Sequence, residues 1–132
     1  MDITLLAEAA QRNGFSLYGL VVEGVCLVQT FIESLPGFDQ IQVMNLFKGI
    51  INVGLPKSEY KFRHLGDEIY ELKTRNGVRV LGFLGPSSMR KSLILTHGFP
   101  KPKKKILERE KRKALDWYGG IDDIRIVEKL RR

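Results

Sequence analysis

Cysteine and histidine are scarce in this sequence, and no apolar run approaches the length needed to cross a bilayer; each shortage removes a class of function. A single cysteine, Cys26, excludes an internal disulfide, and its place in an apolar run reads as a small buried hydrophobe in a cytoplasmic chain. Two histidines, His64 and His97, with no Cys/His ligand spacing, give no transition-metal site, and no cofactor is expected. Residues 1–13 carry Asp2 and Glu8 and lack the basic start and long apolar block of a signal peptide, so no membrane contact is expected. There is no Gly-Xaa-Ser-Xaa-Gly nucleophile elbow and no internal repeat. Residues 85–92 (GPSSMRKS) approach the phosphate loop GxxxxGK[ST], but Arg90 replaces the second glycine and Pro86 removes a backbone donor, which leaves a hairpin turn.

What is present is a chain of 132 residues, 43% hydrophobic, enough for one core and read as one domain over residues 1–132. The net charge of +7 suggests an anionic partner. Residues 101–118 hold eight basic side chains against three acidic ones, a local excess of five positive charges. Lys103, Lys104 and Lys105 fall at the start of the helix expected there, where the macrodipole disfavours cations by about 0.3–1 kcal/mol each. Stability does not account for them; phosphate binding would, and a merely solvated basic helix is the alternative reading.

Local pattern predicts a short helix over residues 2–13, with Asp2 as cap and Gly14 as stop, and a strand over 15–22. Val28, Phe31, Ile32 and Leu35, then Val43, Met44, Phe47, Ile50 and Ile51, mark two amphipathic helices expected to form one packed hairpin. After Pro56 the period changes to alternation, with strands expected at 60–65, 69–74, 78–84 and 92–99. Asn76-Gly77, both tolerant of positive φ, predicts an antiparallel hairpin, and residues 92–99 add a further antiparallel strand. Pro102 suits the first position of a helix running to Tyr118, mostly polar and anchored by apolar residues near its two ends; residues 121–132 fit helix or strand. The expected class is α+β: an N-terminal helical hairpin packed on a mainly antiparallel sheet, with a C-terminal basic helix.

On an alternating strand His97 shares its face with Leu93, Leu95 and Phe99, as a histidine at the edge of the core would; alternatively, Gly98 marks a bulge that turns it toward the mouth of the sheet beside Lys101. Glu71 and Lys73 lie opposite Tyr70 and Leu72, and Arg79 opposite Val78 and Val80. For Glu71 an ion pair on the sheet surface is the simplest reading.

Residues 65–73 (LGDEIYELK), 78–80 (VRV) and 95–101 (LTHGFPK), in this order and spacing, resemble the phage-derived HigB-like branch of the RelE toxin superfamily. Residues 31–36 (FIESLP) are similar to that branch's first-helix ending, and the basic helix to Tyr118 to its final element, so that the likeness spans residues 15–118. Lys73 stands where an arginine is common in that branch, Val78 where an aromatic residue often precedes the arginine, and Pro100 and Pro102 interrupt the basic tail.

The resemblance implies a RelE-like fold and metal-free cleavage of mRNA on the ribosome, by attack of a ribose 2′-hydroxyl on the adjacent phosphate. Its partners would be mRNA on the ribosome and a helix-turn-helix antitoxin. Arg79 matches the family's strand arginine and would hold the transition-state phosphate, with Lys101 as second cation; His97 would serve in acid–base catalysis, with Glu71 as another candidate base. Lys73, Lys103, Lys104, Lys105, Arg109, Lys111 and Arg112 would hold the RNA backbone. The competing reading is a non-catalytic RNA- or ribosome-binding accessory protein of phage origin.

Overall fold

Alternation and turn chemistry shape the middle of the chain. In the computed structural model, which describes residues 1–101 and 103–128 apart from the side chain of Lys104, four strands run as an antiparallel meander: β4 (Phe62–Gly66), β5 (Ile69–Lys73), β6 (Arg79–Leu84) and β7 (Ser92–Phe99). Before it come β1 (Asp2–Ala7), β2 (Ser16–Val22), β3 (Val25–Cys26), α1 (Leu27–Glu33) and α2 (Gly37–Val53); after it come α3 (Lys104–Tyr118) and β8 (Arg125–Ile126).

All eight strands belong to one mixed sheet, in the order β4-β5-β6-β7-β2-β1-β8, with β3 also on β2. β2 lies parallel to β7 and β1 parallel to β8, while the other pairs are antiparallel. The fold is α+β with a C-terminal helix, but it does not open on a helical hairpin and its sheet is not the RelE-like one expected. Strands β1 and β2 come first, and α1 rests on β7 and β2 with little contact to α2.

The expected helix at residues 2–13 fails for a reason outside its own sequence. A helix of this length is marginal without tertiary packing, and here Asp2–Ala7 gains a ladder on each side, antiparallel with β2 and parallel with β8. Ile3 is fully buried by it and Thr4 nearly so, and both are β-branched residues that suit a pleated, half-buried surface. The segment that follows caps α2: the Ala10 N–H donates at 2.8 Å to the Ile51 carbonyl, a group that the helix end leaves open, and the Phe15 N–H adds a bond of 3.0 Å to the Ile50 carbonyl, which also accepts the Gly54 N–H.

Each face of the sheet carries its own core. Leu17, Leu72, Val80, Leu93 and Leu95 meet Val28 of α1 and Val43, Phe47 and Ile50 of α2; on the other face Ile3, Ile69, Leu81, Phe83, Ile94 and Phe99 meet Ala114 of α3. The basic helix is therefore anchored through its middle, where Ala114 and Glu110 are buried, as well as near its ends.

A bulge in β7 decides which residues face α3. Register runs Leu84↔Leu93, Phe83↔Ile94, Gly82↔Leu95 and then jumps to Leu81↔His97, so Thr96 is the extra residue, and its hydroxyl donates to the Leu81 carbonyl at 3.2 Å. Beyond it, His97 and Phe99 point to the α3 side, while Gly98 joins the face of Leu93 and Leu95. A Cβ at Gly98 would run into the Phe31 ring of α1. The expected marker, Gly98, is thus a close-packing site, and the bulge lies two residues earlier.

No helix among the described residues is long and apolar enough to cross a membrane. The suggestion that Pro102 opens the last helix, and the end of segment 121–132, lie outside the described residues; within them that segment contributes β8.

Candidate nucleic-acid interface

Where the β5–β6 turn meets α2 and the exit from β7, the surface opens into a groove of about 740 Å³. Gln42, Asn45 and Leu46 of α2 form one wall; Tyr60 and Lys61, Lys73, the turn 74–77, Arg79 and Lys101 form the rest. The turn is held from within and from outside. The Gly77 N–H donates to the Thr74 carbonyl at 3.0 Å, the Val78 N–H to the Thr74 hydroxyl at 3.1 Å, the Asn76 N–H to Gln42 Oε1 at 3.3 Å and Asn76 Nδ2 to Asp39 Oδ1 at 3.1 Å.

Only Gly77 of the Asn76-Gly77 pair has positive φ (89°), so the turn does not use the paired positive φ that both residues tolerate; such pairs fall at Glu23-Gly24 and Asp67-Glu68 instead. The stem of Lys101 packs over Gly77, where a Cβ would lie 3.0 Å from the Lys101 Cβ. This contact fixes the start of the Lys101 side chain at the groove.

Among the described residues, five cationic side chains, Lys61, Lys73, Arg75, Arg79 and Lys101, line the groove, and no carboxylate or histidine does. Like charges gathered in excess of counter-charge in a concave wall concentrate a positive field and attract anions. Tyr60, 82% exposed, stands among them with the Lys73 Nζ 5.8 Å from its ring centroid.

Among the described residues, Arg79 is the one member with a fixed acidic partner. Its Nη1 donates to Glu71 Oε1 at 3.0 Å, and Arg63 Nη2 lies 3.2 Å from the same oxygen. Glu71 is 1% exposed, so the ion pair expected on the sheet surface is a buried one. Among the described residues, Glu71 Oε2 and Arg79 Nε, both buried, have no hydrogen-bond partner. The carboxylate orients Arg79 from below and does not reach the groove lining.

His97 belongs to a second, closed cluster beneath α3. Its Nδ1 lies 2.9 Å from Thr96 Oγ1 and its Nε2 3.4 Å from Glu110 Oε2, with the Trp117 ring edge-on at 5.3 Å. Burial pushes the His97 pKa below its ordinary value despite the Glu110 carboxylate, which keeps the ring neutral at neutral pH. Burial works to raise the Glu110 carboxyl, but the Lys113 hydrogen bond and the His97 and Lys113 charges outweigh it, so its pKa falls. Lys113 reaches Glu110 at 3.0 Å.

Of the residues singled out from sequence, Arg79, Lys101 and Lys73 converge on the groove, whereas Glu71 and His97 do not line it. Lys103, Lys105, Arg109 and Arg112 are exposed on or just before α3, outside the lining, and Lys111 is bonded to Asp67 Oδ2 at 3.2 Å; the Lys104 side chain lies outside the described residues. Sequence reasoning missed Tyr60, Lys61 and Arg75. The signal for the first two is the alternation of aromatic and basic residues in Tyr60-Lys61-Phe62-Arg63, which also fits the start of a strand.

Among the described residues no three His, Cys, Asp or Glu side chains gather where a metal ion could be held. No family model, curated protein or solved structure matches this chain at a significant level.

Proposed function

We propose that this chain is the toxin of a toxin–antitoxin pair, a cytoplasmic endoribonuclease that cuts mRNA on the ribosome without a metal ion. The observation that carries this reading is the groove in which Lys61, Lys73, Arg75, Arg79 and Lys101 converge with no carboxylate in the lining. The ordered likeness of residues 65–73, 78–80 and 95–101 to the HigB-like branch of the RelE superfamily supports it. In the reaction a ribose 2′-oxygen attacks the adjacent phosphorus and loses its proton to solvent, the bond to the 5′-oxygen breaks, and the products are a 2′,3′-cyclic phosphate and a 5′-hydroxyl.

Such a step concentrates negative charge on the phosphoryl oxygens, which a guanidinium and an ammonium stabilise best when fixed beforehand. Arg79, held by Glu71, and Lys101, seated on Gly77, are the groups for that role, and a lining ammonium supplies the proton to the leaving 5′-oxygen. The exposed cations near α3 add weaker contacts to the backbone or to ribosomal RNA. A helix-turn-helix antitoxin is the proposed inhibitor.

One observation favours a second reading, an RNA- or ribosome-binding protein without catalysis: among the described residues the groove contains neither histidine nor carboxylate, and His97 is mostly buried beneath α3. Induced expression in a bacterial host, with mapping of mRNA 5′ ends, separates the two. Growth arrest with new mRNA ends that disappear in Lys101→Ala is the expected result; normal growth and intact mRNA with soluble protein present would leave only the binding reading.

A further inference from the structure

Tyr60 is a large aromatic side chain held on an ordered mount yet left in water. The Ser58 hydroxyl accepts the Tyr60 N–H at 3.2 Å, the Ser58 carbonyl accepts the N–H groups of Lys61 and Phe62 at 3.0 Å each, and the Lys73 N–H donates to the Lys61 carbonyl at 2.9 Å. Four hydrogen bonds therefore fasten the backbone around Tyr60 to its own turn and to β5. The residue is 82% exposed, and among the described residues neither core cluster includes it.

Its surroundings add a second constraint. Tyr60 lines the cationic groove, with the Lys73 ammonium within cation–π range of the ring. The ligand such a site fits combines a flat π-face with phosphates a few ångströms away. An unpaired nucleobase and its flanking phosphates have this chemistry, whereas a duplex does not, because its bases are already stacked inside the helix.

We infer that Tyr60 is a stacking platform for one nucleobase of single-stranded RNA, seated while Lys61, Lys73 and Lys101 hold the neighbouring phosphates. The inference rests on the RNA-binding reading of the groove and adds to it a preference for single strands over duplex. Stacking is indifferent to which base is offered, so Tyr60 confers strand-state selectivity rather than base identity. The phenol oxygen has no part in it.

Anisotropy titrations of a labelled single-stranded RNA, the same strand with one abasic site at each position in turn, and the corresponding duplex, over a range of salt, test this. Tyr60→Ala is expected to weaken single-strand binding about 5- to 100-fold at fixed salt, to leave duplex binding within about twofold, and to leave the salt dependence unchanged, since no phosphate contact is lost. Tyr60→Phe and Tyr60→Trp should bind as the parent does, and one abasic position should reproduce the loss. Lys73→Ala should lower the log–log salt slope by about 0.7. Parental single-strand binding by Tyr60→Ala, with a lowered slope in Lys73→Ala, would overturn the stacking role and leave the groove reading standing. Salt-independent RNA binding, or none, by the parent protein would overturn both.

Discussion

The groove at Lys101 and the cluster beneath α3 are both polar centres on one sheet, but their charges are treated in opposite ways. Beneath α3, His97, Glu110 and Lys113 form a chain of contacts, and deeper under the sheet surface Glu71 is shared by Arg63 and Arg79. In the groove, Lys61, Lys73, Arg75 and Lys101 face a common space with no carboxylate in its lining. Charges matched inside the fold belong to the stability of the folded state, while charges left unmatched in a concavity are available to a ligand. Residue type does not separate the two; partners and exposure do.

The largest effect on stability should come from the matched side. Glu71→Ala leaves Arg79 mostly buried without its carboxylate and is expected to cost about 3 kcal/mol by urea denaturation, whereas Lys101→Ala should stay within about 0.5 kcal/mol of the parent. Equal effects for the two would erase the contrast. Gly98→Ala comes next: its methyl group meets the Phe31 ring, and overpacking of this kind costs about 1–3 kcal/mol, relieved when Phe31→Leu is added in the same chain.

The smallest expected effect concerns pH. Because burial lowers the His97 pKa, the folded state takes up this proton less readily than the unfolded chain. The stabilisation is complete above the unfolded value of about 6.5 and is lost as pH falls through the depressed folded value, so the protein should weaken on mild acidification. His97→Gln should flatten that part of the pH–stability profile and leave RNA affinity within about twofold. A large loss of RNA affinity in a folded His97→Gln protein would move His97 from the matched side of the comparison to the other.

Much of the fold was legible because it was locally encoded. The periodicity of Val28–Leu35 and Val43–Ile51 marked α1 and α2, alternation marked β4 to β7, and turn residues marked the antiparallel pairing of β5, β6 and β7. What was lost depended on distant partners. Asp2–Ala7 is a strand because β2 and β8 lie beside it, and nothing in its own composition announces them. Plain alternation puts His97 on the face of Leu93 and Leu95, whereas one extra residue, Thr96, exchanges the two faces; Gly98 pointed to a bulge in this strand but not to its position.

The groove was half visible. Lys73, Arg79 and Lys101 stood out by their place in an ordered pattern, while Tyr60, Lys61 and Arg75 lie in connecting segments whose position only the folded chain determines. Lys111 shows the converse: within a run of basic residues it looked like its neighbours, yet it is bonded to Asp67 and serves to tie α3 to the β4–β5 turn.

The central claim is that the groove, and not the exposed face of α3, is the principal anion site. Single-stranded RNA binding as a function of salt should be compared for the parent protein, a Lys61→Ala/Lys73→Ala/Lys101→Ala variant and a Lys105→Ala/Arg109→Ala/Arg112→Ala variant. The account predicts that the groove variant loses about two units of log–log slope and most of the affinity, with a smaller change in the α3 variant. An unchanged slope in the groove variant beside a collapsed one in the α3 variant would contradict it.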